Sequence, residues 1–263
     1  MDSNKITLKP VSAILKAVLF WLSCAVALAA SSGLTKSLSG WASAIAIGTA
    51  GVIAFLLTIL FCKWQKLTLK DVGVVPGGST ARHLLIGVIV GALMVAVQVI
   101  ATIIPGYVKL VYAPQVGPLI IGTNLLLYIL IACREELVFR AFPLRSINYT
   151  AGPAIAQTVV VILFIIEHKV GGMTWIQAIL GPGLGAILFG LAALKTKGLA
   201  LPIGIHSAWN FGQWIMGFKN DTGLFRVITE KGHETIVMYL GWVGYILATG
   251  IAILVVYRSK VVN

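Results

Sequence analysis

The chain has 263 residues, 59% of them hydrophobic and 11% charged, whereas a soluble domain carries about a quarter charged residues, so a water-facing fold is excluded. Apolar stretches run from near the N-terminus to near the C-terminus with no polar block long enough to fold separately, and residues 1–263 read as a single multi-pass membrane domain. The formal charge of +12 does not point to nucleic acid, because the basic residues stand in short gaps between apolar stretches, where they orient a membrane protein.

A helix needs about 20 mainly apolar residues to cross the hydrocarbon layer, and the fold class predicted is all-α, a polytopic transmembrane bundle of about eight helices. The first candidate, Ile14 to Leu34, follows Lys5, Lys9 and contains Lys16. Its Ala27-Leu28-Ala29 resembles a cleavage site, but the apolar run continues through Gly33 and Leu34, which favours a retained helix over a signal peptide. Trp41 to Cys62, Leu84 to Ile104, Pro118 to Ile147, Pro153 to Val170, Trp175 to Leu194, Leu199 to Phe218 and Thr235 to Tyr257 follow in order. Turn-rich segments separate them, such as Pro76-Gly77-Gly78-Ser79 and Asn148-Tyr149-Thr150-Ala151-Gly152. Gly181 and Gly185 form a small-xxx-small pair on the sixth helix that suits packing within the bundle rather than dimerisation. Cys24, Cys62 and Cys133 are far apart, without CxxC spacing, and read as small core hydrophobes.

With the N-terminus inside, the cytoplasmic side collects Lys5, Lys9, Lys63, Lys66, Lys70, Arg82, Arg145, Lys195, Lys197, Arg258 and Lys260, against Lys36, Lys109, Lys169, Lys219, Arg226 and Lys231 outside. This bias puts both termini in the cytoplasm. Short loops and no organelle-targeting segment suit a prokaryotic plasma membrane.

Ionisable residues inside a spanning helix are costly and usually mark a functional site. The fourth helix carries Arg134, Glu135, Glu136 and Arg140. Glu136 and Arg140 are four residues apart on one face and suit an ion pair, whereas Glu135 points about 100° away. The fifth helix ends in Phe164-Ile165-Ile166-Glu167-His168, and the seventh carries His206 and Asn210 one turn apart. At about 1.5 Å per residue, Glu135 lies roughly 15 to 18 Å from the cytoplasmic end, His168 about 22 Å, His206 about 11 Å and Asn210 about 17 Å. Singly, each is more simply a packing histidine or an interhelical clamp; together they occupy one slab of the membrane. His83 and His233 are assigned to loops, with no role. Glu135 with neutral His168 suits the deprotonation of a water. His206 and Asn210 offer donors to the oxyanion formed when that water attacks a peptide carbonyl. No Ser or Cys nucleophile is needed: Ser207 lies on the wrong face and Cys133 points away from Glu135.

Glu135-Glu136-Leu137-Val138-Phe139-Arg140 resembles the EExxxR motif of the CAAX prenyl protease and bacteriocin-processing membrane peptidases, also called the Abi or type II CAAX family. Phe164 to His168 is similar to the family's FxxxH motif and His206 to Asn210 to its HxxxN motif, in the same order and on separate apolar helices. The motif-bearing core covers about residues 118–218. The resemblance implies an eight-helix intramembrane glutamic endopeptidase without a cofactor, acting on a peptide or membrane-protein substrate. It implies water activation by Glu135 and His168, oxyanion donors at His206 and Asn210, and a supporting pair in Glu136 and Arg140. One departure stands out: Glu167 occupies a position often small in the family, where it either shares a proton with the site or faces the outer interface.

Three other readings stay open. Glu135 or Glu136 with His168 and His206 would make a His2Glu zinc set of a metallopeptidase, although no HExxH occurs. A non-catalytic scaffold for a membrane-protein partner is the second. A proton pathway is the third, disfavoured by the lack of an evident inverted repeat.

Overall fold

The computed structural model describes residues 9–38, 41–219 and 222–259; Lys5 and Lys260, counted above as cytoplasmic charges, lie outside them. The described elements are α1 (Pro10–Thr35), α2 (Ala42–Trp64), α3 (Thr80–Ile103), β1 (Val108–Tyr112), α4 (Pro118–Glu136), α5 (Phe142–Ala151) and α6 (Pro153–Val170). They continue with α7 (Trp175–Ala178), α8 (Leu184–Thr196), α9 (Ala200–Ile215), β2 (Phe225–Thr229) and α10 (Glu234–Arg258). Six stretches are long and apolar enough to cross a membrane: Pro10–Thr35, Ala42–Trp64, Thr80–Ile103, Pro153–Val170, Trp175–Thr196 and Glu234–Arg258. The protein is a multi-pass helical membrane protein. Large apolar side chains such as Leu56, Leu60, Leu85, Leu93, Ile251 and Leu254 are exposed on the helices' outer faces, where lipid rather than water is the fitting solvent.

Two breaks in helical regularity have prolines as their cause. Between α4 and α5, Leu137–Ala141 winds as a π-helical segment. Pro143 follows it, with no N–H to give the carbonyl four residues back and a ring that crowds that carbonyl. Between α7 and α8, Ile179–Gly183 is also π-helical and contains Pro182. The fourth span therefore changes its helical winding at the motif, and it runs on to Ala151. The turn expected at Asn148 to Gly152 shrinks to Gly152 alone, at φ 84°.

α3 and α9 meet backbone to backbone. A Cβ on Gly87 would lie 2.4 Å from the Leu201 carbonyl oxygen, and one on Gly91 2.5 Å from that of Ile205. A Cβ on Gly204 would lie 2.4 Å from the Leu84 carbonyl oxygen, so none of the three tolerates a side chain here. Gln213 Nε2 donates to Gln98 Oε1 at 2.5 Å, and Gln98 Nε2 to the Gly241 carbonyl at 3.1 Å, which ties α9, α3 and α10 together. Gly181 and Gly185 face Trp242 and Tyr245 of α10, so this pair packs within the bundle. A separate apolar cluster around Phe20, Phe61 and Phe142 joins α1, α2 and α5, with ring centroids 5.3 to 5.4 Å apart.

Three further expectations change. His83 is not in a loop but lies buried in the first turn of α3. Arg145, within the fourth predicted span, and Lys195, counted with it among the cytoplasmic charges, are bound at helix ends rather than standing free: Arg145 donates to the Ala193 carbonyl, and Lys195 to the carbonyls of Val256 and Ser259 at 2.8 Å each. The segments after α3 and α9, read as plain connections, pair as a two-stranded antiparallel sheet with Val108 opposite Thr229 and Tyr112 opposite Phe225. The sheet lies at the end of the bundle where α3 and α9 finish and α4 and α10 begin.

Candidate active site

Glu136 is fully buried at the end of α4. Its Oε1 accepts from Arg140 Nη1 at 3.4 Å, the pair expected from the four-residue spacing, and from His206 Nδ1 at 3.0 Å. Arg140, also fully buried, has its guanidinium 4.6 Å from the Phe164 ring centroid, 5.3 Å from Phe189 and 5.5 Å from Phe139. Phe189 stacks on His206 at 4.6 Å and 14°. One knot of charge and aromatic rings thus locks α4, α6, α8 and α9 in register.

Glu135, one residue earlier, lies on the Nε2 side of the same His206 ring. Its Oε2 is 3.7 Å from His206 Nε2, beyond hydrogen-bond length, and has no hydrogen-bond partner among the described residues. His168, near the end of α6, places Nδ1 2.9 Å from the Phe164 carbonyl oxygen. A carbonyl only accepts, so Nδ1 carries the hydrogen, and neutral His168 keeps a lone pair on Nε2.

Glu135, His168, His206 and Asn210 all line one cavity of about 810 Å³, with apolar walls from Met94, Phe164, Phe189, Trp209 and Trp242. Three helices therefore converge as their depths suggested. Asn210 Oδ1 accepts from Lys219 Nζ at 3.0 Å, a contact that reading Lys219 as an outer-loop charge missed. Glu135 and His168 also face a smaller cavity of about 150 Å³ lined by Leu28, Ile47, Arg134 and Glu167.

Glu167 is held by two partners, accepting from Arg134 Nη1 and from Trp21 Nε1, the latter at 2.8 Å. It clamps α1, α4 and α6 beside the site, which explains its tolerance in an apolar helix. Ser207 Oγ donates to the Ile203 carbonyl at 2.7 Å within its own helix. Among the described residues no group of three or more His, Cys, Asp or Glu side chains is arranged to hold a metal ion.

The fold and the cavity define a multi-pass membrane protein with a polar site inside the bundle. Residues 117–212 match the family described as type II CAAX prenyl endopeptidase Rce1-like. That family is one of peptidases, so the chain is a CAAX-protease-like peptidase, and its broad class is CAAX-type intramembrane protease. The matched segment spans α4 to α9 and includes Glu135, Glu136, Arg140, His168, His206 and Asn210. No curated protein matches the chain.

Proposed function

We propose that the protein hydrolyses a peptide bond inside the membrane with a water activated by Glu135 and His168. The observation that carries this reading is the convergence of Glu135, His168, His206 and Asn210, from three helices, on one largely apolar cavity. Water bound between the Glu135 carboxylate and the His168 Nε2 lone pair gives a proton to Glu135 and attacks the carbonyl carbon. The resulting oxyanion accepts hydrogen bonds from His206 Nε2–H and Asn210 Nδ2–H. Glu135 returns the proton to the amide nitrogen, the C–N bond breaks, and an acid and an amine leave.

Glu136 gives His206 its role. With Nδ1 held 3.0 Å from Glu136 Oε1, the His206 ring turns Nε2 toward Glu135 and the cavity, and donation from Nε2 as well as Nδ1 requires both ring hydrogens. The smaller cavity offers water an approach to Glu135 and His168 separate from the one that holds substrate. The substrate is a peptide or membrane-protein segment, the chain works as one multi-pass domain with both termini in the cytoplasm, and the plasma membrane of a prokaryote is its setting. Comparative peptidomics of cells carrying wild-type and Glu135→Gln protein tests the proposal: precursors accumulate and products vanish with the variant. Identical peptide profiles in the two cells contradict it.

A further inference from the structure

α9 ends on a turn written into its sequence. Gly217, at φ 75°, takes the left-handed conformation that suits glycine. Its N–H reaches the Trp214 carbonyl at 3.1 Å, while the Phe218 N–H reaches the Gln213 carbonyl at 3.0 Å. These two bonds form the reversal that closes many helices. The next residue after Phe218 is thereby folded back along the helix it has just left. Lys219 lies on the wall of the large cavity, its Nζ 3.0 Å from Asn210 Oδ1 and 4.7 Å from the Tyr128 ring centroid. Tyr128 stands on α4 two turns before Glu135, about 10 Å along the helix. Lys219 thus bridges the two helices that carry Glu135 and Asn210.

A lysine ammonium only donates. The carboxamide atom facing it must be the oxygen, which settles the orientation of Asn210 and leaves the Nδ2 hydrogens on the opposite arm of the group. A free asparagine would sample both orientations, and only one presents donors to a substrate oxygen. We infer that Lys219 is a positioning residue: it occupies Asn210 Oδ1 so that Asn210 Nδ2 donates to the substrate carbonyl as negative charge develops there. This rests on the reading of Asn210 as an oxyanion donor. It also assigns a role to a residue beyond the 117–212 family match.

The test uses the full chain in detergent and an internally quenched peptide that the wild-type protein cleaves. Lys219→Met keeps the stem and removes the donor; kcat falls about tenfold or more, with KM within about twofold. Lys219→Arg still donates and retains most of the turnover. Lys219→Met combined with Asn210→Ala is no slower than Asn210→Ala alone, because one acts through the other. Wild-type kcat in Lys219→Met, or losses that multiply in the double variant, would overturn the inference. So would equal losses in Lys219→Met and Lys219→Arg accompanied by a lowered unfolding temperature, the mark of a merely structural contact. Undiminished cleavage by Glu135→Gln would instead bring down the hydrolytic reading beneath it.

Discussion

Glu135 and Glu136 are chain neighbours with opposite surroundings. The Glu136 side chain is held between Arg140 and His206 through one oxygen and lines neither cavity, whereas Glu135 lines both. Their substitutions should separate accordingly. Glu136→Gln leaves Arg140 buried without its counter-charge, a change of the kind that costs about 3–5 kcal/mol, and lowers the unfolding temperature in detergent. Glu135→Gln leaves that temperature within experimental scatter and abolishes cleavage. Asn210→Ala slows turnover by about 10²-fold or more, as for other lost oxyanion donors, with a folded protein throughout. The four-residue spacings made the Glu136–Arg140 pair and the His206–Asn210 face legible in the sequence. The contacts of Glu136 with His206 and of Lys219 with Asn210 were not legible, since they depend on how α4 and the turn after α9 dock against α9.

Element positions rest on a few small residues and two prolines. Gly87, Gly91 and Gly204 let α3 and α9 touch backbones, and this contact sets where His206 and Asn210 stand. Gly91→Leu is expected to force the helices apart, costing about 1–3 kcal/mol or more, and to remove activity together with stability. Gly77→Ala is the control, because nothing lies within 4 Å of a Cβ there. Spectroscopic unfolding and cleavage measured on the same preparations check both. Apolar length revealed the spans, but periodicity did not reveal that Pro143 and Pro182 each follow or occupy a π-helical segment. The two-stranded sheet escaped because each strand has only five residues and finds its partner more than a hundred residues away.

At the scale of the whole molecule, the α9 span fits no length rule: its 16 residues reach about 24 Å, less than the roughly 30 Å hydrocarbon layer. It needs no greater length, since its central residues pack inside the bundle rather than against lipid. The alternation of helices leads to an orientation that thiol labelling can check. Cysteines placed at Gly78 and at Lys231 should react with an impermeant reagent only at Lys231 in intact cells. Labelling at Gly78 alone would reverse the topology. The zinc alternative has its own test, for a water activated by Glu135 and His168 needs no metal: chelated, metal-free protein should retain full activity. The most direct measurement of the central claim is cleavage of a quenched peptide by purified, metal-free wild-type protein beside Glu135→Gln and His168→Ala. The expected result is turnover by wild type and none by either folded variant; equal cleavage by wild type and Glu135→Gln would contradict it.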